Sequence, residues 1–106
     1  MIMVAMYMKV EPRNRKELSQ AITSLLSRIR LEKGCSRCEF FHGMEDEIFF
    51  CLLQEWETQK DFEKYHESED YRVLQGAMHL LEEPCEIICC TECSKNQIDQ
   101  GYKFPG

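Results

Sequence analysis

The chain has 106 residues, a formal net charge of -6 and a sequence pI of about 5.1. This length accommodates one hydrophobic core, and the acidic balance argues against nucleic acid as a partner. No apolar run approaches the roughly 20 residues of a transmembrane helix, so we expect no membrane span. Residues 1–10 are apolar but lack a basic leader and a small-residue cleavage site. They therefore predict a strand rather than a signal peptide, and a cytoplasmic protein.

The first strand is predicted at residues 2–10, where apolar side chains occur on both parities. This pattern is typical of a strand in the middle of a sheet. After Pro12, the spacing of Asn14 and Glu17 predicts a capping box at a helix start. One apolar helical stripe follows, and Gly34 is expected to end the helix. The stripe consists of Leu18, Ala21, Ile22, Leu25, Leu26 and Ile29.

Two short strands and a polar turn predict a β-hairpin. The strands are expected at residues 35–42 and 48–56, and the turn lies at residues 44–47, just after Gly43. Segments of this length, joined by a polar turn, are typical of antiparallel pairs.

A second helix is predicted directly after Trp56. Thr58 and Asp61 have the spacing of a capping box, and Phe62 and Tyr65 can then share the inner face of the helix. Trp56 is the only tryptophan of the chain. We therefore expect an aromatic group where this strand meets this helix.

Ser68 and Asp70 indicate a break and a new helix start. The helical spacing then continues until Pro84, which cannot continue a helix. A last strand is predicted at residues 85–91. The members of this second apolar stripe are Tyr71, Leu74, Met78 and Leu81.

The element order β-α-β-β-α(α)-β predicts an α+β fold, a ferredoxin-like sandwich of an antiparallel four-stranded sheet with helices on one face. We expect one domain at residues 1–93 and a polar tail at residues 94–106. The helices can cover only one sheet face, which leaves Met, Phe and Ile side chains on the other. Such a patch predicts a homodimer with sheets packed face to face.

Several residues around the second helix start carry a family resemblance: Glu55, Trp56, Thr58, Asp61, Phe62, Tyr65, His66 and Ser68. With them the chain resembles the antibiotic biosynthesis monooxygenase family of dimeric α/β barrels. In that family a strand ending E-x-W or E-W precedes a capped helix, and a histidine follows ten residues after the tryptophan. The segment from Glu32 to Cys35 also resembles the family's E-x-G-C turn.

The resemblance implies a dimer whose pocket oxidises a small quinol-like or polyketide-type aromatic with O₂, without metal or flavin. A phenol or enol would lose a proton, its anion would give an electron to O₂, and the radicals would recombine at carbon. His66 and Trp56 are then the candidate catalytic residues. His66 would act as base or hydrogen-bond donor. A surface histidine and a tryptophan that only packs remain the alternatives.

Four further residues are candidates for the substrate pocket: Phe62, Tyr65, Tyr71 and Arg72. The aromatic residues would form its walls, and Arg72 would balance the charge of an anionic substrate. Aromatic residues at helical spacing are more often core residues, and a helix arginine is more often solvated. Both interpretations remain open at this level.

Other members of the family suggest alternatives. Haem-degrading relatives use an asparagine on the first strand, which here contains none, and the position of their haem ligand falls near Gln75 rather than His79. An isomerase of a phosphorylated dicarbonyl compound would need a phosphate-binding cluster, and the chain contains no Gly-rich loop. A dimeric module that binds a small molecule or zinc without turnover is the main alternative from another class.

The cysteines suggest a metal site as an alternative to free thiols. Two CxxC pairs, Cys35 with Cys38 and Cys90 with Cys93, are the ligand set of a structural zinc site. The predicted topology places these pairs at the same end of the sheet but on opposite edges. A single tetrahedral site would therefore require a second subunit, and we expect no cofactor as the simplest case. A redox disulfide is the remaining alternative.

Overall fold

The computed structural model of the protein describes residues 1–91. The predicted domain boundary at residue 93 and the tail lie outside the described residues. Two short 3-10 turns occur, at Pro12–Asn14 and Ala77–Leu80. The other elements in chain order are β1 (Ile2–Lys9), α1 (Arg15–Arg30), β2 (Cys35–His42), β3 (Phe49–Trp56), α2 (Gln59–His66), α3 (Glu69–Gly76) and β4 (Glu86–Thr91).

The four strands form one antiparallel sheet in the order β2-β3-β1-β4. This arrangement confirms the predicted ferredoxin-like sandwich, and β1 occupies a central position as expected. The predicted hairpin is the β2–β3 pair, closed where the Gly43 N–H donates to the Phe49 carbonyl at 2.8 Å. The strands β3 and β4 each begin one residue later than predicted.

The core lies between α1 and the helix-facing side of the sheet. The predicted stripe of α1 is confirmed, because its inner positions are buried together with alternate residues of β1. Each such side chain contributes about 1.5–3 kcal/mol to folding. No helix in residues 1–91 combines the length and apolarity needed to span a membrane. The buried residues of these two elements include Leu18, Ile22, Leu25, Ile29, Val4, Met6 and Met8.

The two ends of α1 differ from the prediction. Asn14 makes no side-chain cap, because its Nδ2 donates instead to the Leu80 carbonyl at 3.3 Å. The helix ends at Arg30, four residues before Gly34. Gly34 has φ of +85°, and a Cβ there would lie 2.3 Å from Asp61 Oδ2. The glycine therefore permits a left-handed turn against α2 rather than a helix cap.

The starts of α2 and α3 are as predicted. The Thr58 hydroxyl accepts a hydrogen bond from the Asp61 N–H at 3.1 Å, and the Ser68 hydroxyl accepts from the Tyr71 N–H at 3.2 Å. Side chains of this type satisfy backbone donors that have no partner within the helix. The break at Ser68 therefore has a direct structural cause.

The end of α3 corrects the sequence prediction. Helical spacing predicts that this helix continues through Leu81, but α3 stops at Gly76 and a 3-10 turn follows. Glycine disfavours helix, and the chain beyond it pairs with the end of β1 instead. Leu81 forms a β-bridge with Val10, and the Glu11 N–H donates to the Leu80 carbonyl at 3.1 Å.

The second face of the sheet, which we call the open face, has no helix from residues 1–91 against it. Its residues follow from the cross-strand register and are mostly half-buried. Phe41, near the free edge of β2, is 46% exposed. This face matches the predicted apolar patch. Its apolar members are Met3, Ala5, Tyr7, Phe41, Phe49, Cys51, Leu53 and Ile88.

Candidate functional site

A group of rings, which we call the aromatic cluster, lies where β3 meets α2 and α3. It consists of Trp56, Phe62, Tyr65, His66 and Tyr71. The cap at the start of α2 sets the helix so that Phe62 and Tyr65 face the sheet and are buried. The rings of Trp56 and Tyr65 stack with centroids 4.7 Å apart. The sequence prediction of an aromatic group at this junction is confirmed.

Gln54 joins the two stacked rings and was missed by the sequence analysis. Its side chain is 1% exposed. The Trp56 indole N–H donates to Gln54 Oε1 at 3.1 Å, and Gln54 Nε2 donates to the Tyr65 hydroxyl at 3.3 Å. The sequence signal for Gln54 is a polar residue at a position that faces the core in an otherwise apolar strand. A buried amide at such a position needs hydrogen-bond partners.

His66 lies at the exposed edge of the aromatic cluster. Its ring stacks on Tyr71 with centroids 4.3 Å apart and meets the edge of Phe62 at 4.2 Å. In residues 1–91 neither ring nitrogen makes a hydrogen bond. Loss of hydration lowers the pKa of His66, which Glu63 only partly offsets. The imidazole is therefore neutral near pH 7 and has a nitrogen able to accept a proton.

Tyr65 differs from His66 in both burial and protonation. Burial raises the pKa of Tyr65, and the hydrogen bond from Gln54 opposes that rise. The phenol therefore stays protonated throughout the physiological range and acts as a hydrogen-bond donor rather than a base. Its ring also meets Tyr71 edge-on, with centroids 5.4 Å apart.

A cavity of about 400 Å³ lies along β2, and none of its six lining residues belongs to the aromatic cluster. An irregularity in the β2–β3 register places Cys35 opposite Trp56 and Cys38 opposite Gln54. Two walls of the cavity are thus direct cross-strand neighbours of the tryptophan and the glutamine. The lining residues are Arg30, Cys35, Ser36, Arg37, Cys38 and Glu39.

The comparisons with known proteins agree on one family. A family model described as Antibiotic biosynthesis monooxygenase matches residues 1–77. The chain belongs to the antibiotic biosynthesis monooxygenase family. It is 27% identical over 90 residues to the protein named "Putative monooxygenase YcnE" from Bacillus subtilis (strain 168), covering 83% of this chain and 94% of that protein.

Solved structures share the fold of this family member. Rv0793 from Mycobacterium tuberculosis superposes with a TM-score of 0.82 at 15% identity, covering 89% of this chain and 96% of that one. PA3566 from Pseudomonas aeruginosa does so with a TM-score of 0.77 at 18% identity, covering 88% and 94%. At these identities the match shows a common backbone arrangement only.

Two arginines, Arg72 and Arg30, have different surroundings in the structure. Arg72 lies exposed on α3 and pairs with Glu69 at 3.4 Å. Arg30, which the sequence analysis did not single out, reaches β2, where its Nε donates to the Cys38 carbonyl at 2.8 Å. This bond covers a carbonyl of an edge strand, and Arg30 is one of the residues that line the cavity. Arg30 is thus the better placed of the two to meet an anion there.

Three of the four candidate zinc ligands lie in the described residues, and they do not lie together. Cys35 and Cys38 lie on β2 and Cys90 on β4, which are opposite edges of the sheet as expected. Cys90 is disulfide-bonded, and Cys93 lies outside the described residues. Burial raises the pKa of Cys38 to about 12, so its thiol is protonated near neutral pH when no metal ion is bound. In residues 1–91 no group of three potential ligands occurs.

Proposed function

We propose that this family member is a cofactor-independent monooxygenase that oxidises a small quinol-like or polyketide-type aromatic with O₂. The observation that carries the proposal is the aromatic cluster with a neutral imidazole at its accessible edge. Rings in this arrangement suit a flat aromatic ligand. A base near neutrality suits removal of a proton from a phenol or enol.

The proposed chemistry balances without a further reductant. His66 takes a proton from the substrate, and the resulting anion transfers one electron to O₂. Superoxide and the substrate radical combine to form a carbon–oxygen bond, and the resulting peroxide anion takes the proton back from His66. Loss of water from the hydroperoxide at a former CH₂ leaves a ketone, so one oxygen atom enters the product and the other leaves as water. The buried surroundings of Trp56 and Tyr65 would keep water from the radical pair.

Oxygen uptake tests this proposal directly. With a panel of reduced quinones and an anthrone, the protein should consume O₂ faster than autoxidation does. His66→Ala should lower the rate by roughly a hundredfold, the usual contribution of a positioned base. His42→Ala is the matched control, because His42 is exposed at the far end of β2 and should leave the rate unchanged. Equal rates with and without protein for every substrate would contradict the proposal.

We further propose that the protein works as a homodimer in which two open faces pack together into an α/β barrel. Tyr7 and Phe49 stack on this face with centroids 5.8 Å apart, and a cavity of about 220 Å³ lies beside them and Phe41. A stable interface buries about 800 Å² per partner, and the apolar members of the open face would form the centre of such an interface. Sedimentation of a monomer at micromolar concentration would contradict this proposal.

A second candidate function is binding of a small aromatic without turnover. It is favoured by the complete burial of Trp56 and Tyr65, which already contact each other. In that case the cavity beside Cys38 holds the ligand. A ligand that binds stoichiometrically to the protein while O₂ consumption stays at the autoxidation rate would favour this candidate over the first.

A further inference from the structure

The hydrogen bonds of Gln54 have a fixed direction. An indole N–H can only donate, so the atom of Gln54 that faces Trp56 must be Oε1. The amide nitrogen then faces Tyr65 and must donate to the phenol oxygen. The orientation of this buried amide is therefore set by chemistry rather than by an arbitrary choice between O and N.

This direction leaves the Tyr65 hydrogen unused. Within residues 1–91 the Tyr65 hydroxyl makes no hydrogen bond as a donor, although the residue is only 2% exposed. A buried tyrosine hydroxyl normally finds a partner for its hydrogen. The fold thus holds an oriented donor in an apolar setting, where a charged acceptor gains most.

We infer that Gln54 is a positioning residue that directs the Tyr65 O–H toward an anionic oxygen of a bound aromatic, a phenolate or enolate. Cys38 is the cross-strand neighbour of Gln54 and also lines the cavity at β2. Arg30 on the cavity wall supplies the positive charge that the same anion needs. The inferred ligand, an aromatic anion, belongs to the substrate class of the proposed function. Oxidation of this ligand rests on the proposed function, but its binding can be tested separately.

Three variants test the inference. Gln54→Glu places a carboxylate between the rings, which accepts from both Trp56 and Tyr65 and so takes up the Tyr65 hydrogen. Gln54→Met keeps the volume but removes both polar atoms. Gln75→Glu adds the same charge as the first variant at an exposed position of α3 and is the control.

The first readout is spectroscopic and needs no ligand. The difference in ultraviolet resonance Raman between wild type and Tyr65→Phe isolates the tyrosine doublet of Tyr65. It should show a hydrogen-bond acceptor in wild type and a donor in Gln54→Glu. Emission of Trp56, the sole tryptophan, should shift in Gln54→Met. A donor signature for Tyr65 in the free wild-type protein would overturn the inference, even if a Gln54 variant failed to fold.

The second readout is binding of para-nitrophenolate, a coloured aromatic anion. Tyr65→Phe and Gln54→Glu should each bind it roughly tenfold to a hundredfold more weakly than wild type, the effect of one charge-assisted hydrogen bond. The double variant of Tyr65→Phe and Gln54→Glu should lose no more affinity than either single variant. Gln75→Glu should bind as wild type does. Wild-type affinity in Gln54→Glu, or no binding to wild type, would overturn the inference. If this pattern holds but no quinol is oxidised, only the proposed function fails.

Discussion

Residues of one strand, β3, differ in burial according to the face of the sheet on which they lie. On the covered face Gln54 and Trp56 are almost completely buried, and their polar atoms are paired. On the open face Leu53 and Cys51 are half-buried, and no helix of the described part of the chain packs against them. Because side chains alternate along a strand, the same eight residues supply the candidate site inward and the proposed association surface outward. Packing on the covered face therefore maintains the candidate site, and the open face is left for the proposed dimer.

The largest effect should come from truncation on the covered face. Trp56→Ala removes a side chain with no exposed surface and leaves a cavity beside Tyr65, so we expect about 3–5 kcal/mol of lost stability. Phe41→Ala on the open face should cost much less at low protein concentration. Urea unfolding of both variants measures the loss in the free energy of unfolding. Equal losses would show that the two faces are equally well packed and would remove the contrast.

The next effect should appear in association rather than in folding. Leu53→Lys places a charge in the middle of the open face, where burial without a partner costs several kcal/mol. We expect the dimer to dissociate at micromolar concentration while the monomer stays folded. Val73→Lys, on an exposed part of α3, is the matched control and should leave association intact. Sedimentation equilibrium would distinguish them, and a surviving Leu53→Lys dimer would place the interface elsewhere.

A smaller effect on stability is expected at the turn that joins α1 to β2. Gly34→Ala introduces a Cβ against Asp61 at a positive φ, which should cost about 1–3 kcal/mol. Gly76→Ala meets nothing within 4 Å and should stabilise α3 by up to about 1 kcal/mol. Thermal unfolding of the pair tests the opposite signs. A neutral Gly34→Ala would mean that this turn relaxes freely.

The smallest effect should be the pH dependence due to His66. Its pKa is lowered in the folded chain because burial disfavours the imidazolium. Its contribution is therefore fully present above the ordinary value of about 6.5 and is lost as the pH falls through the lower folded value. The difference in stability between wild type and His66→Gln should shrink over that range. Taking the difference cancels Glu32, whose pKa is raised by burial and by Asp70 and which acts with the opposite sign.

Local patterns in the chain were sufficient to predict most of the architecture. The α1 stripe, the cap at Thr58, the restart at Ser68 and the hairpin all depend on neighbours within a few residues. The error at α3 has a different origin. The spacing up to Leu81 is helical, but the backbone of Leu81 pairs with Val10, about seventy residues earlier, and no local signal reports such a bond.

The sequence by itself determined the element order, the family resemblance and the meeting of Trp56 with Phe62 and Tyr65, because those residues are close along the chain. Only the tertiary structure revealed Gln54 as the link between the stacked rings. It also brought Arg30, rather than Arg72, to the cavity beside them. Both results depend on contacts between separate elements, in which a cross-strand register and a helix end bring distant residues together. The physical reason is that a buried polar side chain needs a hydrogen-bond partner for each of its polar atoms, and these partners come from other elements of the fold.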